Sequence, residues 1–337
     1  MFVADPLAAA EPVPRSAAPE TSEPAPLSIM TWNLEWFFDD SKQDNFSKLA
    51  KEKSAPSREQ WNWQRDAVAE SIAQVKPTIA ALQEVEGQRV LWYLTEALDR
   101  EHELKYDEHA IEGNDRFTEQ DVGLLTRAPA EVLSIMRGNV TTSMRKTGDF
   151  GSVSKHLAAL IEIPVNGKTE TVLIVNVHFR SGEAGASIRA KQATSLNRWI
   201  QVWEKTPVHV VVIGDFNTEE TAGNVAASSE MSILMTRSTD DPADDLVDLL
   251  ETVEPENRQT HLLDGKQFDR ILVSRSLIDD DPQTLDLCLR RVTVRKDLAV
   301  CGAPDTAETH WDGYWDLPDS ERDLSDHYPI IAEFDVR

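Results

Sequence analysis

The chain is poor in cysteine, in basic charge and in long apolar runs, and each shortage excludes something. It has two cysteines in 337 residues, Cys288 and Cys301. Two are too few for a disulfide framework; they leave one bridge in an oxidising compartment or two separate thiols. No apolar run approaches the roughly 20 residues that a membrane-spanning helix needs, so no stable membrane insertion is expected. Lys and Arg number 34 against 59 Asp and Glu, a formal net charge of −25. That balance argues against a protein that coats nucleic acid, which is usually basic. A polyanion approaching such a surface is repelled at long range unless a bound divalent cation or a local cluster of Arg and Lys offsets the field. Internal repeats and a second composition regime are also missing, so residues 28–337 read as one domain.

Residues 1–27 hold six of the 17 prolines and many alanines without periodicity. Such a segment buries too little surface to offset its ordering entropy and reads as a disordered tail. It is similar to the Ala/Pro-rich spacer that follows export signals, which makes an exported protein one expectation and a cytoplasmic one the other.

From Leu27 onward, strand-like and helix-like segments alternate. The strand candidates are LSIMTW, TIAALQ, DVGLLT, HLAALIEI, TVLIVNVHF, VHVVVIGDF, FDRILVS, LRRVTV and YPIIAEF. Several are almost continuously apolar, as expected of strands covered on both faces. Helical spacing marks three segments: the stretch after Trp61 with Val68, Ile72 and Val75; residues 88–99 with Val90, Leu91, Leu94 and Leu98; and residues 186–203 with Ile188, Gln192, Leu196, Trp199, Ile200 and Trp203. The acidic stretch 239–257 reads as a solvated loop with a short helix. Residues 300–324 read as a loop rich in Asp and aromatics, and 39–61 as an insertion rich in Lys and Ser.

Strand candidate after strand candidate ends in a group able to bind a metal or move a proton. LSIMTW runs into Asn33, TIAALQ into Glu84, TVLIVNV into His178, and VHVVVIG into Asp215 and Asn217. FDRILVS carries Asp269 near its start, and Asp326–His327 stand just before YPIIAEF. Strand ends are where a rigid sheet can hold a catalytic group at a loop edge. The set matches what phosphodiester hydrolysis requires. A hard divalent cation prefers carboxylate and amide oxygens, which Glu84, Asp326 and Asn33 offer. Water must lose a proton near neutral pH, for which His327 oriented by Asp269 is suited. His178 is placed to stabilise or protonate the departing oxygen, and Asp215 with Asn217 to hold water and phosphate oxygens. Each residue alone has an ordinary reading: Asp-Phe-Asn as a turn, His178 as a structural histidine, Asp326 as a turn cap, Asp269 as an ion-pair partner of Arg270.

Taken together and in this order, TWNLEW, LQEVE, NVHF, GDFNT, FDRIL and SDHYPI resemble the endonuclease/exonuclease/phosphatase superfamily, also called deoxyribonuclease I-like, over residues 31–331. The resemblance implies an α/β four-layer sandwich of two facing mixed β-sheets with helices outside. It implies Mg²⁺, with Mn²⁺ or Ca²⁺ as alternatives, at Glu84 with Asn33 and Asp326 nearby. It also implies that His327 works with Asp269, and that Asp215 and Asn217 handle water and phosphate. The residue matching His178 is a histidine in the nuclease and sphingomyelinase branches and a tyrosine in abasic-site endonucleases. Gln267-Phe268-Asp269-Arg270 departs from the aromatic-Thr-Asp-Arg signature of inositol polyphosphate phosphatases.

The expected activity is therefore metal-dependent phosphodiester hydrolysis by a nuclease of low sequence specificity acting on DNA or RNA, as a monomer. The alternatives are a phospholipid or small-molecule phosphoesterase, which the net charge favours, and a non-catalytic binding module. Arg180, two residues beyond His178, together with Arg127 and Arg145, are the candidate phosphate contacts. Arg137, Lys146, Lys155, His156, Arg189 and Lys191 are basic neighbours of these segments. Trp311, Tyr314 and Trp315 form either an aromatic wall beside the site or an anchor for the loop.

Overall fold

The computed structural model describes residues 27–113, 115–136, 153–203, 206–219, 229–236, 245–279, 286–302, 306 and 309–336. The expected tail lies outside these residues, apart from Leu27, which is already buried in the first strand.

Two six-stranded mixed sheets face each other. The first contains β1 (Leu27–Phe37), β2 (Ile79–Val85), β3 (Asp107–Ile111), β4 (Asp121–Thr126), β11 (Leu287–Val294) and β12 (Ile330–Val336), in the order β11-β12-β1-β2-β4-β3. The second contains β5 (Glu131–Met136), β6 (Lys155–Val165), β7 (Lys168–His178), β8 (His209–Asp215), β9 (Leu246–Asp248) and β10 (Asp269–Ser274), in the order β5-β6-β7-β8-β10-β9. Each sheet has a parallel pair near its middle, β1 with β2 and β7 with β8. Parallel neighbours need a crossover, and helices supply both. In the first sheet α1 (Lys48–Lys53) and α2 (Arg58–Val75) lie between the two strands in sequence. In the second, α4 (Ala186–Ile200) does. Helix α3 (Gln88–His102) follows β2, and α5 (Ser229–Met235) follows β8.

The near-continuous apolar strands follow from this layering. Alternate side chains of one strand enter different cores. On β1 and β2, Leu27, Ile29, Ile79 and Ala81 meet Leu157, Ile174, Val211 and Ile271 between the sheets. Met30, Trp32, Ala80 and Leu82 point the other way, toward Trp61, Val68 and Ile72 of α2 and Leu91, Leu94 and Leu98 of α3. On β7 and β8, Leu173, Val175, Val210 and Val212 form a third core with Ala193, Leu196 and Ile200 of α4. The result is the expected four-layer sandwich, helices outside two sheets. Helix α2 begins where the Ser57 hydroxyl accepts the Gln60 N–H and ends at Lys76 in a left-handed conformation.

Three strands go beyond the sequence expectation, and all three lie at sheet edges: β3 in the first sheet, β5 and β9 in the second. An edge strand covers less of the core, so its apolar pattern is weak. The acidic stretch read as a solvated loop contains β9 and a 3₁₀ turn at Leu249–Thr252. Its Asp248 is buried in an ion pair with Arg270, so the partner of Arg270 is Asp248 and not Asp269. Cys288, buried on β11, and Cys301, half-buried in the loop after it, are separate thiols and not a bridge.

Candidate active site

A parallel pair ends at one edge of the sheet, and here the two parallel pairs end at the same edge of the sandwich. In the second sheet this produces a row of polar residues in register. Lys155 of β6 pairs with His178 of β7, His178 with Asp215 of β8, and Asp215 with Asp269 of β10. The close approach of β7 and β8 at this edge depends on Gly214, at φ +133°: a Cβ there would stand 2.0 Å from the Val177 carbonyl oxygen.

In the first sheet a bulge replaces regular pairing. The β1–β2 register shifts between Asn33 and Phe37, and the β2–β4 register between Gln83 and Val85. Glu35, Trp36 and Glu84 adopt positive φ inside these irregularities, and Asn217 does so after β8. Left-handed backbone costs a non-glycine residue about 1–2 kcal/mol, so its concentration here marks a segment shaped for its side chains. Gln83, between them in the pairing, bonds across the sandwich to Asn176 at 2.7 Å and fixes the floor beneath the site.

The structure brings Asn33, Glu84, His178, Asp215, Asn217, Asp269, Asp326 and His327 into one cluster. Asn33 Nδ2 donates to Glu84 Oε1 at 3.2 Å and to Asp215 Oδ2 at 3.0 Å, and its Oδ1 accepts the Glu35 N–H. Asn33 thus bridges the two sheets, and turns its donor rather than its oxygen to the carboxylates. His178 Nε2 lies 3.7 Å from Glu84 Oε1 and 3.5 Å from Asp215 Oδ2. His327 Nδ1 lies 2.8 Å from Asp269 Oδ2, and its Nε2 faces Asp326 Oδ1 at 3.7 Å and Asp215 Oδ2 at 3.9 Å. Asn217 donates its backbone N–H to Asp215 Oδ1 and its Nδ2 to Asp215 Oδ2 and the Phe179 carbonyl.

Burial and neighbouring charges shift the protonation of the cluster. Burial pushes the Glu84 carboxyl up, and Asp326 adds to it. Burial, with Asp269, raises Asp215 to about 7. Burial lowers His178 well below the usual imidazole range, so it is neutral at physiological pH. Burial also opposes charge on His327, but Asp269, Asp326 and Asp215 outweigh it and hold its pKa well above the usual range.

The donor set fits a hard divalent cation. Glu84, His178 and Asp215 offer ligand atoms within 4.8 Å of one another. Asp326 Oδ1 is buried without a hydrogen-bond partner, which is costly for a carboxylate and is relieved by a cation.

Five neighbours are given no role in the site by the sequence. Gln120 donates to Glu84 Oε2, and its own oxygen accepts from Lys155 Nζ at 2.9 Å, which fixes the amide's orientation. Glu35 Oε2 accepts from the Asp326 N–H at 2.9 Å and meets His310 Nε2 at 2.7 Å. His261 meets Asp326 Oδ2 at 3.2 Å. Each is brought in by chain segments 30 to 300 residues apart from its partner or by the β1 bulge, which leaves no local spacing to read. Glu35, next but one to Asn33 in TWNLEW, is the one that the bulge geometry could have flagged.

The basic candidates fare differently. Arg180 is exposed beyond His178. Arg127 is not brought to the cluster: it follows the far end of β4, where its guanidinium donates to the carbonyls of Lys76 and Pro77. The reason is strand direction, since β4 runs antiparallel to β2 and its other end, with Gln120 and Asp121, faces the site. Arg145, Arg137 and Lys146 lie outside the described residues. Arg189 is buried and holds Glu230 and the carbonyls of Arg180 and Gly182, so it braces the loop after His178. The cavity over the cluster, about 280 Å³, is lined among the described residues by Trp36, Phe268, Thr118 and Ser181 besides the groups above, with no Lys or Arg. Tyr314 packs inside its own loop, donating to the Asp323 carbonyl, and Trp311 lies under the Lys53 ammonium, 3.6 Å from its ring centre. These aromatics anchor the loop and line no part of the cavity.

Among solved structures, the chain is similar to the human nocturnin catalytic domain with bound sulfate anion, at 15% identity and TM-score 0.56, covering 93% of this chain and 96% of that one. It is similar to D. rerio TDP2 complexed with single strand DNA product, at 15% identity and TM-score 0.54, covering 92% and 98%. An endonuclease/exonuclease/phosphatase from Bacteroides vulgatus matches at 18% identity and TM-score 0.55, covering 92% and 99%. At such identities the likeness speaks for the fold. A search of curated proteins by sequence gives no match. The model of the Endonuclease/Exonuclease/phosphatase family matches residues 30–327, a span that starts before Asn33 and closes on His327. The chain belongs to the Endonuclease/Exonuclease/phosphatase family.

Proposed function

We propose that the protein hydrolyses phosphodiester bonds with a divalent metal, Mg²⁺ in the first place, and that its substrate is a nucleic acid strand cut with little sequence preference. Members of this family are usually phosphoesterases or nucleases and generally use divalent metals, and one fold neighbour is complexed with a single strand DNA product. The observation that carries the reading is the pair His327–Asp269, whose second imidazole nitrogen faces Asp215 of β8 and Asp326 of the loop before β12.

Asp269 accepts a hydrogen bond from His327 Nδ1–H, so Nε2 is the nitrogen that exchanges a proton with water. Asp215, held by Asn217 and Asn33, positions that water beside Nε2. His178, neutral through burial, donates a hydrogen bond to a phosphate oxygen or to the departing oxygen. Glu84 and Asp326 would hold the cation, with Gln120 and Glu35 fixing their orientation. A bound divalent cation would supply positive charge to the phosphate and offset the carboxylates that otherwise keep His327 protonated.

A second reading has its own support. The cavity is small, its described lining has no Lys or Arg, and the chain's net charge is −25. These features favour a small phosphodiester or a phospholipid headgroup, which needs no long basic groove. The deciding experiment assays purified protein with Mg²⁺, Mn²⁺ or Ca²⁺ on single-stranded DNA, RNA, plasmid, sphingomyelin and a chromogenic phosphodiester. Cleavage of the strands supports the nuclease. Turnover of the small esters alone supports the second reading. Silence on all substrates with all metals overturns both.

A further inference from the structure

His261 has no place in the chemistry above, yet it lies against two members of the cluster. It comes from the loop before β10, and a single bridge pairs it with His327. The Leu262 N–H donates to the Asp326 carbonyl and the Tyr328 N–H to the Thr260 carbonyl, so the loop is stitched to the Asp326–His327 segment on both sides. The two imidazoles pack edge to face, 4.6 Å apart at 84°.

By residue type, His261, Asp326 and His327 look like a ligand set for a transition metal, with three ligand atoms within 4.8 Å. The hydrogen bonds decide otherwise. The Leu263 backbone N–H donates to His261 Nδ1 at 2.9 Å, so Nδ1 must be the unprotonated nitrogen. A neutral imidazole has one N–H, which is then on Nε2. Nε2 lies 3.2 Å from Asp326 Oδ2 and donates to it. Both nitrogens are used, and neither has a lone pair left for a cation. Asp326 Oδ2 is likewise occupied, while Oδ1, buried without a hydrogen-bond partner, lies 3.7 Å from His327 Nε2.

We propose that His261 is a positioning residue: locked as the Nε2–H tautomer by the Leu263 backbone, it holds Oδ2 of Asp326, leaves Oδ1 as the oxygen that would hold a cation, and is itself excluded from the metal shell. The consequence is a preference for oxygen-seeking cations over those that favour imidazole. The inference rests on the metal-dependent reading of the site, and its test does not need turnover.

The experiment uses the full chain. Long-range ¹⁵N–¹H spectra of histidine-labelled protein, with and without Mg²⁺, should show His261 as the Nε2–H tautomer in both. Mn²⁺ binding followed by electron paramagnetic resonance should weaken about 10-fold in His261→Phe, the usual size of a lost outer-shell partner. His261→Gln, whose amide can still donate, should recover most of that loss. Electron spin-echo modulation of bound Mn²⁺ should show no nitrogen coupling that disappears with His261. An Nδ1–H tautomer, unchanged Mn²⁺ affinity in His261→Phe, or a nitrogen coupling that depends on His261 each overturns the inference. The spectra on the unmodified chain decide the matter even if the variants fail to fold. Expected metal binding with no hydrolysis of any phosphoester would sink the proposed function and leave the role of His261 standing. No Mn²⁺ binding at all would sink both.

Discussion

Asp269 and His327, 58 residues apart in sequence, meet at 2.8 Å between Oδ2 and Nδ1, both buried, with His327 at the floor of the cavity. Position and tautomer of the imidazole depend on this contact. Asp269→Asn should lower kcat about 10³-fold, within the range for general acid–base groups, with little change in KM. His327→Ala should do the same, and the double variant should be no slower than His327→Ala alone, because the two act as a unit. Steady-state kinetics of the three variants check this; additive losses would show that the residues act independently.

Glu84 is placed to work through the cation rather than the proton. Glu84→Ala should raise the Mg²⁺ concentration needed for half-maximal activity by at least about 10-fold and recover partly in excess Mg²⁺. His327→Ala should not recover. Mg²⁺ titrations of the two variants distinguish them, and equal responses would mean that the roles are wrongly divided.

Gly214 permits the β7–β8 approach that brings His178 beside Asp215. With φ at +133° and the Val177 oxygen 2.0 Å from an added Cβ, Gly214→Ala must move backbone. Strain and overpacking together should cost about 3 kcal/mol or more. Chemical denaturation measures it, and a loss below about 1 kcal/mol would show that the sheet edge relaxes freely.

Glu86, away from the catalytic row, accepts from the Asp39 N–H and from Asn45 and has its pKa raised by burial to about 7. The folded protein keeps this proton to higher pH than the unfolded chain does. The group therefore contributes full stability below about pH 4.5, and the contribution is lost as pH rises through about 7. From pH 5.5 to 8, the wild-type chain should lose stability relative to Glu86→Gln by on the order of 2 kcal/mol. Denaturant unfolding of both at the two pH values checks the sign; a difference that does not change with pH removes the effect.

What could be read in the sequence were features that depend on a residue and its near neighbours. The continuous apolar runs of β1, β2, β7 and β8 report burial on two faces, because alternate side chains enter separate cores. The polar groups that end those runs were visible because a sheet edge is also a strand end. Edge strands such as β3 and β5 gave little signal, since much of each is solvent-facing. Arg127 looked like its neighbours in charge and motif, and only strand direction put it at the wrong end.

The sequence by itself thus marked the strand runs and the eight polar residues of the cluster, because apolar pattern and strand-end chemistry are local properties; the layer architecture and the family it implied only through the resemblance of its ordered motifs. The tertiary structure alone decided how they join. It set Lys155, His178, Asp215 and Asp269 in one row through β-register, turned Glu35 and Glu84 inward through a bulge, and brought His261 to Asp326 across 65 residues. Contacts between distant segments depend on the summed packing of every core, and no window of sequence contains that sum.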